Sequence, residues 1–309
     1  MIMYSVLLIG TAVISIALYL SNSEILSAIL WISLAGLFYA HLEPYFLKIN
    51  KINFKISGIK MPVKIVFIAD LQIRKPKGAG FLRRVIKQII NLKPDLVLIG
   101  GDLISNEGAT TNSEIVALAE LAKLADKFPA CAVLGNHEYG LDYDEKKKAP
   151  RSLFGDRHTE VEEALKNIKV KLLKNTLIGF TLNNQYLELF GTDDLWGGVT
   201  DWGNLRSEKK EAPLLVLSHN PDAIRTYPND LKRPILFLSG HTHGGQIRLP
   251  FIGPLGNAKL KLGKKFYQGY FVLNNIPLFI THGLGESMFA MRLLSPPEIV
   301  EITLLPENN

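Results

Sequence analysis

The chain has 309 residues, which is enough for one large domain or two small ones. Its net charge of +6 and pI near 9.2 suit an anionic membrane surface, a phosphorylated substrate or a nucleic acid. A single cysteine, Cys131, excludes an intramolecular disulfide, and its apolar surroundings predict a buried packing role. The mean hydropathy of +0.14 is high for a soluble enzyme, and the apolar excess lies at the start of the chain.

Two apolar runs open the chain, over residues 2–20 and 25–42, and the loop between them carries one charged residue, Glu24. Because about 20 apolar residues span a bilayer core as a helix, the first run is long enough and the second nearly so. A cleaved signal peptide is disfavoured, since no basic residue precedes the first run and residues 18–20 make a poor cleavage site. We therefore predict a membrane anchor over residues 1–47, folded as a helical hairpin, although the second run alone would also suit a buried core helix.

Four lysines follow the second apolar run, at Lys48, Lys51, Lys55 and Lys60. Under the positive-inside rule, the lysine-bearing side of a membrane anchor faces the cytoplasm. We therefore predict that residues 48–309 form a domain on the cytoplasmic side of the inner (cytoplasmic) membrane.

From residue 63 onward, short β-branched runs alternate with amphipathic stretches, which is typical of an α/β domain. Predicted helices cover residues 80–91, 113–127 with Ser113 as the N-cap, and 159–168. Predicted strands cover residues 63–69, 95–99, 130–134, 169–173, 176–182, 186–190, 214–217, 235–238, 266–273, 278–281 and 298–304. Residues 139–158 have no clear period and indicate a mobile loop over a site or an insertion.

Residues able to bind a metal follow five of these strands in succession. In chain order they are Asp70 and Gln72, Asp102, Asn136 and His137, His219, and His241 and His243. Ligands of open α/β sheets gather outside the carboxyl ends of strands, so we expect these side chains to meet at one rim. Five strand ends in a row are hard to assign to packing, because Asp and His are buried poorly unless they are paired or coordinated.

The types of ligand narrow the choice of metal. A set of oxygen and imidazole donors without a thiolate indicates a site for Mn²⁺, Fe or Zn²⁺ rather than a structural, cysteine-rich zinc site. Six or more ligands are too many for one tetrahedral ion. Two ions about 3.5–4 Å apart, bridged by a carboxylate, form a clamp that cleaves phosphoesters.

The ordered motifs Asp-x-Gln, Gly-Asp, Gly-Asn-His-Glu, Ser-His-Asn-Pro and Gly-His-Thr-His resemble those of the calcineurin-like metallophosphoesterase superfamily, across roughly residues 63–304. The resemblance implies a catalytic domain with a β-sandwich flanked by helices, and two divalent metal ions. One ion would be held by Asp70, Gln72, Asp102 and His243, and the other by Asp102, Asn136, His219 and His241. His137, paired in that family with the first-motif Asp, would protonate the leaving group or stabilise the transferred phosphoryl group.

One residue departs from the family pattern. The first motif usually reads Asp-x-His, whereas residue 72 is Gln. An amide oxygen is a harder and weaker donor than imidazole, so the first ion would bind less tightly or favour Mn²⁺ or Mg²⁺. Mn²⁺ is the predicted metal overall, with Fe and Zn²⁺ as alternatives. The departure also leaves open a non-catalytic scaffold.

Further motifs resemble the membrane-associated branch that includes UDP-2,3-diacylglucosamine pyrophosphohydrolases of lipid A biosynthesis. They lie at residues 43–45, 243–250, 283–285 and 296–299. The predicted function is hydrolysis of the pyrophosphate in UDP-2,3-diacylglucosamine at a membrane surface, with a lipid-linked or nucleotide phosphate substrate. The alternative is a phosphodiesterase of another soluble or lipid phosphoester. No nucleic acid is expected as a partner, because no groove-length array of basic and aromatic residues is visible.

Other aromatic and histidine residues carry weaker signals. His282 could contact a substrate phosphate, but a structural role is the favoured interpretation. Trp196 and Trp202 are expected to serve local packing rather than to contact an acyl chain.

Overall fold

The structure, a computed structural model, describes a chain with several gaps. The described residues are 24–74, 77–106, 112–144, 146–205, 211–231, 233–256 and 258–307, with Ala12, Ser15, Ile16 and Tyr19. The first apolar run, predicted as one arm of the hairpin, lies almost wholly outside them.

The second apolar run forms helix α1, Glu24–Leu42, which continues into a 3₁₀ turn at Glu43–Tyr45. Large apolar side chains such as Trp31 and Phe38 are exposed along it, and Ala40 is its one buried residue. Among the described residues, Glu24–Tyr45 is the helix long and apolar enough to cross a membrane. The exposure of its side chains argues against the buried core helix that the sequence left open.

The described residues form two six-stranded sheets. The first sheet contains the strands that precede Asp70, Asp102 and Asn136. Its order is β1 (Lys48–Ile56), β16 (Glu298–Pro306), β2 (Val63–Ile68), β3 (Leu96–Gly100), β4 (Ala130–Val133) and β7 (Lys171–Leu172). Strands β2, β3, β4 and β7 are parallel, so their carboxyl ends reach one edge.

Strand β1 was not predicted. It pairs in parallel with β16, from Lys48 opposite Glu298 to Ile56 opposite Pro306. Three of the four lysines assigned to the membrane flank are strand residues, and Lys51 forms an ion pair with Glu301 at 3.3 Å. Because Lys51 is paired, fewer free charges follow the proposed anchor. The cytoplasmic orientation of that anchor stays a prediction.

The second sheet faces the first. Its order is β14 (Gly269–Leu273), β15 (Ile276–Ile280), β11 (Leu236–Ser239), β10 (Leu214–Leu217), β9 (Gln185–Gly191) and β8 (Thr176–Leu182). The central strands β15, β11, β10 and β9 are parallel, and an antiparallel hairpin closes each edge. The predicted β-sandwich is confirmed.

The first sheet has a hydrophobic core on each face, one between the two sheets and one under the helices. Successive side chains on a strand enter these two cores in turn, because they point to opposite faces of the sheet. On β2, Ile65 and Phe67 pack between the sheets, whereas Val66 and Ile68 pack under the helices. These helices are α2 (Ala79–Leu92), α3 (Ser113–Leu118), α4 (Ala122–Ala125) and α5 (His158–Asn167).

Two predicted elements need correction. The expected helix over residues 113–127 is divided into α3, a 3₁₀ turn and α4, and Ser113 is its first helical residue rather than its cap. The stretch over residues 139–158 is not structureless, because it contains the hairpin of β5 (Leu141–Asp144) and β6 (Ala149–Ser152). A second hairpin, of β12 (Arg248–Leu249) and β13 (Gly253–Pro254), was not predicted.

Candidate metal centre

The carboxyl ends of β2, β3, β4, β10 and β11 meet at one rim between the sheets. Backbone hydrogen bonds fasten adjacent ends within a sheet, for example from Gln72 N to Asp102 O at 2.9 Å. A bond from His241 N to Asp70 Oδ1, also 2.9 Å, joins the two sheets. The strand-end argument therefore holds, and the structure brings the predicted ligands together.

Four of these residues, Asp102, Asn136, His219 and His241, form what we call the His219 half. Asn136 Oδ1 lies 2.9 Å from His241 Nδ1 and 3.2 Å from His219 Nε2. His219 Nε2 lies 3.2 Å from both His241 Nδ1 and Asp102 Oδ2. Atoms that each bind one ion at 2.0–2.2 Å are separated from one another by about 2.8–3.6 Å. The spacing of the four atoms therefore fits one divalent ion.

The other half, which we call the His243 half, contains Asp70, Gln72, Asp102 and His243. Ligand atoms of Asp70, Asp102 and His243 lie within 4.8 Å of one another. Gln72 Nε2 donates to Asp102 Oδ2 at 2.9 Å, and among the described residues its buried Oε1 has no hydrogen-bond partner. A buried acceptor without a donor is unfavourable, so a cation beside this amide fits the site.

Asp102 belongs to both halves, and this is what makes the centre suited to two ions rather than one. It shares one group with His219 and His241 and another with Asp70 and His243. A carboxylate with two oxygens can bridge two ions, as the two-metal arrangement requires.

The electrostatics of the rim are those of several acids buried together. Burial, with the nearby charge of Asp102, raises the pKa of Asp70 to about 7. Burial opposes ionisation of Asp102, but the charges of His219 and His137 hold its pKa well below the usual range. Burial would lower the pKa of His219, yet the Asp102 carboxylate raises it to about 10. An ion binding His219 Nε2 must therefore displace a proton, and it would also neutralise the crowded carboxylates.

The backbone is strained at the same rim. Asp70, Gln72, Asp102, His241 and His243 all have positive φ, between 46° and 71°. This region is uncommon for residues other than glycine, and such strain clusters at functional sites.

Glycines let the backbone approach the first-motif carboxylate closely. A Cβ built on Gly240 or on Gly283 would lie 2.6 Å from Asp70 Oδ2. Glycine at these two positions therefore leaves room for the carboxylate at the rim.

His137 lies beside the two halves. Its Nδ1 contacts Ser105 O at 2.5 Å, and its Nε2 lies 3.9 Å from Asp102 Oδ2. The carboxylate that it faces is thus Asp102, whereas the resemblance implied the first-motif Asp70. The next residue, Glu138, accepts backbone N–H groups from Asp102, Leu103 and Gly135, so the final residue of this motif holds two strand ends together.

A cavity of about 350 Å³ opens from the metal rim, and Asp102, Asn136, His137, His241 and His243 line its polar side. Its apolar side is lined by Tyr143, Trp196, Ile247, Leu255, Met288 and Phe289.

Sequence reasoning missed Trp196, which was expected to serve local packing. Its ring lies edge-on to His241 with the centroids 4.7 Å apart. A signal was available: the stretch after β9 contains buried Asp194, and the strand-end argument applies equally there.

The other residues with weak sequence signals make structural contacts. His282 Nδ1 contacts Pro296 O at 3.2 Å, and its backbone N–H donates to Glu298. Trp202 packs in the outer core against Phe190, with the ring centroids 5.6 Å apart. Cys131 is buried, and that burial raises the pKa of its thiol to about 12.

Comparison with known proteins agrees with a site that binds metal ions and acts on phosphoesters. Residues 63–245 match the family described as Calcineurin-like phosphoesterase. The chain is 31% identical over 248 residues to Phosphodiesterase YaeI of Escherichia coli (strain K12), covering 79% of this chain and 83% of that protein. It is 30% identical over 286 residues to the metallophosphoesterase YkuE of Bacillus subtilis (strain 168), covering 87% and 89%. It is 28% identical over 312 residues to the UDP-2,3-diacylglucosamine pyrophosphatase LpxG of Chlamydia trachomatis, covering 86% and 92%.

The family match spans more than half of the chain and includes each of the motifs that supply the rim. The non-catalytic scaffold is therefore set aside, and the chain is a metal-dependent hydrolase. It belongs to the calcineurin-like phosphoesterase family.

Proposed function

We propose that this enzyme holds two divalent ions, one in the His219 half and one in the His243 half, and hydrolyses a phosphoanhydride or phosphoester between them. The observation that carries the proposal is that Asp102 is shared by the two clusters of buried ligands. When bound, the ions supply Lewis-acid stabilisation of phosphate oxygens and lower the pKa of water.

The residues of the chain orient the substrate and move the proton. His137 lines the cavity, and the contact of its Nδ1 with Ser105 O orients the ring with Nε2 toward Asp102. A ring held in this way presents Nε2 to a phosphate bound over the rim, where it can protonate the leaving oxygen. Glu138 and the glycines around Asp70 keep the ligands in place before substrate arrives.

The substrate that we propose is UDP-2,3-diacylglucosamine, cleaved at its pyrophosphate to release UMP. Three observations support it: the similarity to LpxG, the apolar wall of the cavity, and the exposed apolar helix α1 that precedes the catalytic domain. An enzyme attached to the bilayer could meet such a lipid without exposing its acyl chains to water, which costs about 0.8 kcal/mol for each CH₂.

We also propose the boundary, the location and the metal. Residues 1–47 form the anchor and residues 48–309 the catalytic domain, which is supported by the start of β1 at Lys48. The domain lies on the cytoplasmic side of the inner membrane. Mn²⁺ is the favoured metal, because the ligand set combines carboxylates and amides with imidazoles.

The test is a metal analysis of the purified full-length chain in detergent, followed by a substrate panel. We expect about two ions per chain, and release of UMP from UDP-2,3-diacylglucosamine well above that from the deacylated UDP-sugar. Bis(p-nitrophenyl) phosphate serves as the soluble diester, and His137→Ala as the control for contaminating phosphatases. Equal rates on the acylated and deacylated sugars would refute the lipid substrate while leaving the hydrolase intact.

A second candidate is a phosphodiesterase of another soluble or lipid phosphoester. The similarity to Phosphodiesterase YaeI favours it. This candidate predicts faster turnover of the soluble diester than of either UDP-sugar in the same panel.

A further inference from the structure

The hairpin of β12 and β13 carries large apolar side chains into the solvent at the mouth of the cavity. Phe251 at its tip is fully exposed, and Ile252 is 70% exposed. Leu255, which follows the hairpin, is half exposed and lines the cavity itself. Apolar side chains grouped in this way on a protruding turn indicate a surface that contacts a membrane or another protein.

The base of the hairpin is connected to the end of α1 by backbone hydrogen bonds. Arg248 N donates to Leu293 O at 2.9 Å, which joins the hairpin to the neighbouring segment of residues 292–294. One residue earlier in that segment, Arg292 N donates to Ala40 O in the last turn of α1, also at 2.9 Å. One residue later, Leu294 N donates to Glu43 Oε2 at 2.8 Å.

These bonds limit how far the tip can lie from the anchor. Phe251 is three residues from Arg248, which is about 10 Å of extended chain. The tip thus lies on the part of the molecule where α1 ends. Lys261, Lys264 and Lys265 follow in the chain and are exposed, as suits a surface next to anionic headgroups.

We propose that the tip of this hairpin, Pro250–Ile252, enters the same bilayer that holds α1, with Phe251 and Ile252 among the acyl chains. The proposal rests on the membrane attachment in the proposed function, but not on the substrate. A bilayer suits the hairpin better than a protein partner, because residues 292–294 connect its base to the end of α1, a helix long and apolar enough to cross a membrane. The mouth of the cavity, at Leu255 and Met288, would then open at the membrane surface.

The test uses fluorescence quenching in the full-length chain. Phe251→Cys is labelled with an environment-sensitive dye and reconstituted into vesicles of phosphatidylethanolamine and phosphatidylglycerol that contain lipids with a nitroxide on the acyl chain. Val116→Cys, on α3 and 68% exposed, is the matched control, and the unsubstituted chain reports labelling of buried Cys131. We expect quenching of the Phe251→Cys label to exceed that of the control at least threefold.

Two outcomes would overturn the proposal. Equal quenching of the two labels by lipid nitroxides would mean that the hairpin remains in water. The other outcome is that aqueous iodide fails to reach the Phe251→Cys label at high protein density in the vesicles. If this protection disappears when the protein is diluted in lipid, a second copy of the chain covers the label. Because no turnover is measured, neither outcome depends on whether the proposed lipid is the substrate.

Discussion

The two halves of the metal centre are built differently. In the His219 half, the candidate ligand side chains contact one another directly at 2.9–3.2 Å, and they follow four strand ends. In the His243 half, His243 Nε2 lies 3.9 Å from Asp70 Oδ1, and residue 72 is Gln where the family motif usually has His. The candidate ligands of the first half therefore contact one another closely, whereas His243 in the second half is positioned mainly by residues outside the cluster.

The surroundings of the His243 half lead back to α1. His243 Nδ1 contacts Gly285 O at 3.1 Å, and the fully buried Arg292 donates to that same carbonyl at 2.5 Å. Ser295 Oγ donates to His243 O at 3.0 Å, and Ser295 N donates to Glu43 Oε1 at 2.6 Å. The carboxylate that follows the apolar helix thus fixes the loop that positions one candidate ligand. The comparison teaches that the segment following α1 is attached to the His243 half of the site.

The largest expected effect removes the group that the two halves share. Asp102→Ala should lose both ions and reduce turnover of a soluble diester to background, because each half needs this carboxylate. Metal content by mass spectrometry and hydrolysis of bis(p-nitrophenyl) phosphate measure the result. Asp222→Asn is the matched control, since Asp222 is equally buried but accepts the N–H groups of Lys261 and Leu262 away from the rim. Two ions retained in Asp102→Ala would disprove the bridge.

The next effect separates proton transfer from metal binding. His137→Ala should lower kcat by about 10²–10⁴-fold with both ions retained, since general acid catalysis contributes that much. His158→Ala is the control, because His158 is a nearby partly exposed histidine that stacks on Tyr139 at 4.7 Å. Loss of an ion from His137→Ala would instead make His137 a ligand.

A smaller effect tests the dependence of the His243 half on the residues that follow α1. Glu43→Gln should weaken the ion of the His243 half by about 10–100-fold, as outer partners of ligands do, and leave the other ion unchanged. Metal titration by calorimetry resolves the two affinities, and Glu24→Gln, at the other end of α1, is the control. If both affinities fall together, Glu43 maintains the fold rather than positions His243.

The smallest expected effect concerns residue 72 and the difference in metal affinity between the two halves. Gln72→His should tighten the ion of the His243 half by about tenfold or less while turnover continues, because imidazole is the stronger donor. The same titration on the unsubstituted chain is the reference. If neither affinity changes, residue 72 is not among the ligands.

Local sequence predicted most of the sandwich and the order of the motifs. Strands β2, β3 and β4 are apolar runs, interrupted by Lys64 in β2, that are followed by polar residues, and such runs are recognisable without knowledge of their partners. The amphipathic period of α2 was equally clear, and the structure extends the predicted helix by one residue at each end. Family motifs then supplied roles for the residues at the strand ends.

What local sequence could not indicate depends on distant partners. Strand β1 has a largely alternating polar and apolar pattern that is compatible with a strand, but its partner β16 lies about 250 residues later, and nothing local identifies that pairing. Trp196 lies edge-on to His241, and although Asp194 after β9 marks this stretch as a strand end, the contact of the ring with His241 depends on a distant partner.

The sequence by itself determined which residues could bind metal and that they follow strands, because hydrophobic period and residue chemistry are local properties. The family motifs already implied that Asp102 is common to both halves, but only the tertiary structure decided that His137 faces Asp102 and that Glu43 is fastened to the loop beside His243. These contacts join residues that are tens to hundreds of positions apart, and the packing of two sheets sets their distances.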